Sequence, residues 1–260
     1  MENPLKILIE TLYPMNACLL GAGYDNRLEY LKHLINLEVI EIPSGTKFGT
    51  WTVPDEWIAR EAWVKNPKGE VIIDYKKEPL SLVVGSLSFK GKVTLDELKK
   101  HLHYDNDNPD ITPYLMKFYD KDWGFCVPKN QIKAKKIVSD CDDCEPELKA
   151  FDSEVGKVAI QGDKPAETVD RLEEGEYEVF IDTEWKPGKI KLGIHTIKGK
   201  SDREILLFAH LDHPFQANDN LSAVACLTDL ATRLKCNHTI KIIFCPETIG
   251  SIAYAYTQDI

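Results

Sequence analysis

The pattern that most constrains the fold lies in residues 201–260. An apolar run from Ile205 to Ala209 is continuous, not alternating, which is typical of a strand covered on both faces. The amphipathic segment LSAVACLTDLATRL follows, then the strand-like run TIKIIFC and the start of a further helix. Strand, helix, strand and helix in this order form a βαβ unit. We therefore predict an α/β fold with a mostly parallel sheet and helices on both faces.

Two segments near the N-terminus also have helical patterns. Residues 4–20 and LEYLKHLINL carry apolar side chains at helical spacing, so both are expected to form helices. Pro14 is expected to end or kink the first helix. Asp25 or Asn26 is expected to provide the N-cap of the second.

The middle of the chain has a different pattern. From about Trp51, short aromatic and β-branched segments are interrupted by proline and glycine, as in Asn66-Pro67-Lys68-Gly69. This punctuation is typical of antiparallel strands and hairpins. We therefore predict a β-rich region before the βαβ unit.

Composition and charge restrict the class of partner. The chain has 32 Lys and Arg against 42 Asp and Glu, a net charge of −10, and 43% hydrophobic residues. This composition predicts an ordered globular protein, and the acidic balance argues against nucleic acid or an anionic membrane as partner. No apolar stretch approaches the ~18 residues of a membrane span, and the N-terminus lacks the basic region of a signal peptide. A cytoplasmic protein is expected.

The seven cysteines are an odd number and most lie in apolar segments, which is typical of reduced, buried thiols. Cys141 and Cys144 have C-x-x-C spacing, but a zinc ribbon would need a second such pair. Their acidic neighbours would raise the thiol pKa values and oppose thiolate chemistry. An acidic loop is therefore favoured over a metal or redox site.

Five polar residues lie where the two strands of the βαβ unit end. His210, Asp212 and His213 follow the first strand, Asp219 precedes the helix, and Glu247 follows the second strand. In open parallel sheets, ligands bind outside the carboxyl ends of the strands. Imidazole and carboxylate together suit zinc, and carboxylates can bridge two ions. Glu247 could accept a proton from a metal-bound water.

Each of these residues also has a purely structural interpretation. A single histidine at a strand end is usually a hydrogen-bonded polar residue, and Asp219 could be only an N-cap. Glu247 could be a first-turn residue that the next helix dipole favours. The metal-site hypothesis depends on all five lying in one βαβ unit, at the place where ligands collect.

The stretch FAHLDHPFQANDNLSAVA, followed by PETIGSIAY, resembles the aminopeptidase-like proteins of the M28-type zinc peptidase superfamily. The most similar members are a bacterial and archaeal subgroup often encoded with surface-polysaccharide genes. Four earlier stretches are similar as well: LYPMNACLLGAGYDNRLEYLKHL, EIPSGTKFGTWTVPDEW, WGFCVPKNQ and EGEYEVFIDTEW. The resemblance implies a β-rich domain, residues 49–170, inserted between two parts of an aminopeptidase-like core, residues 1–48 and 171–260.

The resemblance also implies roles for the site residues. His210 corresponds to the first zinc-ligand histidine and Asp212 to the aspartate that orients it. Asp219 corresponds to the aspartate that bridges two zinc ions. His213 belongs to a His-Pro pattern of the subgroup and could be a ligand instead of His210. One or two zinc ions are implied.

Two features depart from the superfamily pattern. Glu247 lies where the superfamily has a Glu-Glu pair, one a base and one a ligand, and Pro246 replaces one member, so either role is open. The superfamily core continues further, with more strands, a helix and two more ligands, whereas this sequence ends at Ile260. The chain is thus expected to be a C-terminally truncated fragment, one half of a two-chain site, or a relic, and weakly active or inactive alone.

The leading hypothesis is a zinc-dependent, aminopeptidase-like hydrolase that cleaves an amide or peptide bond through a metal-activated water. One alternative is a non-catalytic binding or scaffolding protein of surface-polysaccharide biosynthesis. Another is an amide hydrolase that acts on an acylated sugar. The expected partners are a small peptide or acyl-amide substrate and either a second copy of the chain or a completing C-terminal polypeptide.

Overall fold

The computed structural model describes residues 3–136, 148–149 and 168–258. The chain divides into two units, Met1–Ile58 with Trp185–Ile260, and Ala59–Glu184. We call these unit 1 and unit 2. The domain limits expected from the sequence, after residues 48 and 170, stay a prediction. Cys141 and Cys144 lie outside the described residues.

The helices are α1 (Pro4–Leu12), α2 (Ala22–Leu34), α3 (Leu95–Lys100), α4 (Lys129–Ile132), α5 (Ser222–Arg233) and α6 (Ile249–Thr257). The strands are β1 (Glu38–Pro43), β2 (Lys47–Phe48), β3 (Trp51–Thr52), β4 (Glu56–Lys65), β5 (Val71–Asp74), β6 (Phe89–Thr94), β7 (Leu102–His103), β8 (Phe125–Cys126), β9 (Lys133–Lys136), β10 (Leu148–Lys149), β11 (Thr168–Asp170), β12 (Glu176–Lys186), β13 (Lys189–Ile197), β14 (Ser201–His210) and β15 (His238–Cys245). A 3-10 turn covers Pro79–Ser81 and a π-helical turn covers Ala217–Leu221.

Unit 1 contains a four-stranded sheet in the order β1-β13-β15-β14. The predicted βαβ unit is β14-α5-β15, and its two strands pair in parallel from Ile205↔Ile240 to His210↔Cys245. This confirms the α/β fold class. The sheet is nevertheless mixed, because β13 pairs antiparallel with both β1 and β15. Residues 198–200 join β13 to β14, and so short a link cannot hold a crossover helix, which makes β13 run opposite to β14.

Helices cover both faces of this sheet. On one face, α1, α2 and α5 bury Leu12, Leu31 and Val224 against Ile242 and Phe244 of β15, and all five side chains are 0% exposed. Burying an aliphatic side chain of this size stabilises the fold by about 1.5–3 kcal/mol. The hydrophobic effect on this face therefore holds the three helices on the sheet.

The opposite face carries α6. The ring centroids of Phe208 on β14 and Tyr254 on α6 are 5.7 Å apart. Gly250 approaches the sheet so closely that a Cβ there would lie 2.6 Å from the Cβ of Cys245. Residues of α6 thus pack against this second face of the sheet, near the carboxyl ends of the two parallel strands.

The predicted start of α2 was wrong, whereas the end of α1 before Pro14 is confirmed. The second helix begins at Ala22, so Asp25 lies in its first turn and does not cap it. Gly21 supplies the turn with φ +108°, a conformation that a Cβ disfavours. A Cβ at Gly23 would lie 1.9 Å from the carbonyl oxygen of Asn16. Backbone packing at the two glycines therefore sets this helix start.

Unit 2 is β-rich. Its four-stranded sheet has the order β5-β4-β12-β6, with β6 antiparallel to β12. Buried residues of this sheet include Ala62, Val64 and Val179, each 0% exposed. In the described part of the chain, no helix has both the length and the apolar character needed to cross a bilayer.

Candidate metal centre

The parallel pairing of β14 and β15 brings the predicted site residues to one edge of the sheet. His210 ends β14 and pairs with Cys245, the last residue of β15. Asp212 and His213 continue from β14, and Glu247 follows β15 by two positions. Asp219 lies in the π-helical turn that leads into α5, where its peptide bond to Asn220 is cis.

The carboxylate of Asp219 lies between two imidazole rings. Its Oδ1 is 3.0 Å from His210 Nε2, and its Oδ2 is 3.3 Å from His213 Nδ1. The second nitrogen of His213, Nε2, lies 3.0 Å from Glu247 Oε2. The two rings meet edge to face with their centroids 4.7 Å apart. The structure thus brings together both histidines, Asp219 and Glu247.

Asp212 lies behind these groups and is 1% exposed. Its Oδ1 accepts a hydrogen bond of 2.8 Å from the backbone N–H of Glu247. The same oxygen is 3.7 Å from His210 Nδ1, and Oδ2 is 3.8 Å from His213 Nε2. Both histidine contacts are longer than a hydrogen bond. Asp212 therefore links the loops after β14 and β15 through the Glu247 backbone, and its predicted role in orienting His210 stays a prediction.

The donor atoms have the chemistry that a metal ion requires, and some of their spacings are close to those of a zinc site. Ligand atoms of His210, Asp212 and His213 all lie within 4.8 Å of one another. Zinc bonds of ~2.0–2.1 Å in tetrahedral geometry place ligand atoms about 3.3–3.4 Å apart, close to the 3.0 and 3.3 Å from Asp219 to the two rings. The buried atoms His210 Nδ1 and Asp212 Oδ2 have no hydrogen-bond partner, a feature that calls for an explanation. The described residues therefore fit a metal ion.

The electrostatic field of the site is negative. Burial by itself lowers the pKa of His210, but the nearby carboxylates of Asp212, Asp219 and Glu247 outweigh it and raise the pKa above 6.5. Each imidazole faces carboxylates through both of its nitrogens, whereas a neutral imidazole has only one N–H. At His210, either a proton or a metal cation can compensate the extra carboxylate contact.

Two thiols beside the centre remain protonated at neutral pH. Burial, reinforced by the charge of Asp212, raises the pKa of Cys18 and of Cys245 to about 12. The ligands that the site offers are therefore nitrogen and oxygen atoms.

Sequence reasoning missed one residue next to the site. Arg27 on α2 is 0% exposed, and its Nη1 donates hydrogen bonds to the backbone carbonyls of Leu211, Asp212 and His213. The sequence signal that could have revealed Arg27 is its position on the helix. Arg27 lies three residues after the buried Tyr24 and directly before Leu28, so a charged residue occupies the apolar face of an amphipathic helix.

Comparison with known proteins identifies the family to which this chain belongs. A family profile described as "Domain of unknown function (DUF4910)" matches residues 6–259. The chain belongs to this family. The match covers both units of the structure and all of the candidate site residues.

A curated relative of this DUF4910 chain is a Clostridium acetobutylicum protein, named for polysaccharide biosynthesis and an aminopeptidase-like domain. It is 35% identical over 250 residues, which are 95% of this chain and 49% of the relative. A solved structure from C. acetobutylicum, named as a peptidase, is 34% identical with a TM-score of 0.76. That match covers 98% of this chain and 52% of the other. The chain thus spans about half the length of the curated relative it matches.

A zinc aminopeptidase from Bacillus subtilis is more distant, with 12% identity and a TM-score of 0.51 over 97% of this chain and 64% of the other. At this identity the likeness shows the fold alone. The aminopeptidase-like fold that the sequence resemblance implied is confirmed.

Proposed function

We propose that this chain carries the metal-binding part of a zinc-dependent hydrolase that cleaves an amide or peptide bond. The observation that carries the proposal is the position of the Asp219 carboxylate between His210 and His213, 3.0 and 3.3 Å from their ring nitrogens. A carboxylate placed between two potential ligands suits a bridging role. The aminopeptidase-like fold supports the same reaction class.

His210, His213 and Asp219 would hold one or two zinc ions. Bound zinc lowers the pKa of a bound water towards ~7 and polarises a carbonyl group. Asp212 holds the backbone of Glu247 through a hydrogen bond, and the Glu247 carboxylate lies 3.0 Å from His213 Nε2. The Glu247 side chain is 39% exposed, so it would be accessible to take a proton from the attacking water and to deliver it to the leaving amine.

Zinc binding tests the proposal directly. The purified chain, stripped of metal and titrated with zinc at micromolar concentration, is expected to bind one or two ions per chain. His210→Ala and Asp219→Ala are expected to lose them, whereas His33→Ala on the exposed side of α2 keeps them. A wild-type stoichiometry no higher than that of the two site variants would contradict the proposal.

The substrate class is a small peptide or an acyl amide. Aminoacyl chromogenic substrates report peptidase activity, and N-acyl sugars report the alternative that the polysaccharide-related name of the relative suggests. Turnover of N-acyl sugars but not of aminoacyl substrates would favour an amidase that acts on acylated sugars. Zinc binding without turnover of either class, by an intact relative as well as this chain, would favour a binding or scaffolding role.

A second polypeptide is proposed as a partner, because β14 has an open edge. Among the described residues β14 pairs only with β15, and its Ile205 and Phe208 are 38% and 40% exposed. An apolar strand with one unpaired edge is a template for a further strand. We propose that a polypeptide corresponding to the rest of the relative's length pairs here, with a second copy of the chain as the alternative. A cytoplasmic location remains part of the proposal.

A further inference from the structure

Arg27 forms an unusual set of contacts beneath the candidate metal centre. A single guanidinium nitrogen, Nη1, lies 2.8, 3.1 and 3.0 Å from the carbonyl oxygens of Leu211, Asp212 and His213. Nε donates to the carbonyl oxygen of Leu12 at the end of α1, at 3.2 Å. For three consecutive carbonyls to meet one donor atom, the main chain must curl around it. Arg27 thus sits at the centre of the loop that leaves β14.

The curl places His213 in a conformation that it would not adopt on its own. His213 has φ +73°, a left-handed conformation that is unfavourable for a residue with a Cβ. In this conformation its carbonyl points back to Arg27, while its ring reaches Asp219 and Glu247. The hydrogen bond from Arg27 therefore favours the backbone geometry that brings His213 into the site.

Burial of the Arg27 cation is energetically unfavourable, so packing alone does not explain an arginine at this position. Burial lowers its pKa to about 10 and the charge of Asp212 opposes that shift, so Arg27 stays cationic at neutral pH. Among the described residues, no carboxylate lies within ion-pair distance of it. A buried cation without an ion pair is unfavourable unless its hydrogen bonds compensate. An apolar side chain would fill the same volume without this cost.

We propose that Arg27 is a positioning residue for the metal centre: by holding the carbonyls of residues 211–213, it fixes the backbone that directs Asp212 and His213 into the site. The metal-related part of this inference rests on the proposed function. The loop-holding part concerns the metal-free chain.

Hydrogen exchange of the metal-free protein tests the loop-holding part. Arg27→Met removes the donors at similar length, and Leu31→Ala is the matched control, since Leu31 is buried on the same helix one turn further on. Arg27→Met is expected to lose amide protection in the peptide covering residues 211–216 more than elsewhere. Leu31→Ala is expected to keep the protection of this peptide when the two variants are compared under conditions of equal global stability. Unchanged protection of residues 211–216 in Arg27→Met would overturn the proposal.

Zinc affinity tests the metal-related part. Residues that orient metal ligands are worth ~10–100-fold in affinity, so folded Arg27→Met is expected to bind zinc 10–100-fold more weakly, with Arg27→Lys between it and wild type. Leu31→Ala keeps the wild-type affinity. In a His213→Ala background, Arg27→Met should cause a smaller further loss, because the two residues act through one loop.

The outcomes separate the two proposals. If the wild-type chain binds no zinc but Arg27→Met still deprotects residues 211–216, the proposed function fails and the loop-holding role stands. If wild type and folded Arg27→Met bind zinc equally and with the same Co²⁺ absorption spectrum, the proposed function stands and Arg27 is only structural. Arg27→Lys keeps the test valid if Arg27→Met does not fold.

Discussion

At the residue scale, the candidate metal centre depends on contacts between two loops as well as on the residue types in them. His210, Asp212, His213, Asp219 and Glu247 could be chosen because two parallel strands end at one edge. The sequence could not show that Asp212 bonds the backbone of Glu247, because that contact depends on the path of two loops. Arg27 was missed because its partners are backbone carbonyls, which have no sequence signature.

Asp219→Asn tests the bridging carboxylate with little change in shape. It removes the negative charge between the two imidazoles, and because even outer groups around metal ligands are worth ~10–100-fold in affinity, we expect zinc binding to weaken by at least about 100-fold. Asp229→Asn on α5 is the matched control. Among the described residues, the ion pair of Asp229 is with Arg233 of the same helix and not with a candidate ligand. Calorimetric titration with zinc measures both variants. Equal affinities would contradict a ligand role for Asp219.

The pH dependence of stability tests the carboxylates around His210. Because they raise its pKa above 6.5 in the folded chain, protonated His210 stabilises the metal-free protein. This contribution is fully present below the unfolded pKa of 6.5 and is lost as the pH rises through the higher folded pKa. The free energy of unfolding of wild type minus that of His210→Ala should therefore be larger near about pH 5.5 than near about pH 8.5. A pH-independent difference in urea unfolding would contradict this prediction.

At the element scale, hydrophobic patterns predicted the elements better than their ends. The continuous apolar runs of β14 and β15 and the amphipathic pattern of α5 predicted the βαβ unit, because periodicity reports burial. The start of α2 was misplaced, because Asp25 has the local chemistry of an N-cap, whereas the helix begins where Gly21 and Gly23 allow close backbone packing. That packing involves Asn16, a contact that helix propensity does not report.

Gly23→Ala tests this account of the helix start. The added Cβ would lie 1.9 Å from a backbone oxygen of Asn16, so the backbone must move. Overpacking of this kind costs about 1–3 kcal/mol, and we expect a loss of stability in or above that range in urea unfolding. Gly91→Ala on β6 is the control, because the nearest atom to its Cβ is the Phe89 ring at 3.4 Å. Equal losses for the two variants would contradict the close-packing explanation.

At the scale of the whole molecule, the sequence predicted the α/β class and the resemblance predicted the aminopeptidase-like fold. Strand direction was harder to predict, because β13 carries alternating residues that suit either direction. The link of residues 198–200 determines the direction of β13 relative to β14, since it is too short for the crossover that parallel strands need. The chain matches about half of a longer relative, and among the described residues β14 pairs only with β15, so we propose this edge as the place where a partner strand pairs.

Ile205→Lys tests whether a partner strand pairs with β14. Lysine on an edge strand opposes pairing with another chain, and Ile205 is 38% exposed, so the substitution should leave the free chain folded. The test partner is a separately expressed polypeptide, the second half of the C. acetobutylicum relative. We expect Ile205→Lys to weaken its binding by at least about 10-fold, because the complex would bury a lysine charge in place of the apolar isoleucine side chain. Ile111→Lys in unit 2, where Ile111 is 50% exposed, is the matched control. Sedimentation of each mixture distinguishes this complex from a homodimer, and equal effects of the two substitutions would show that the partner does not use β14.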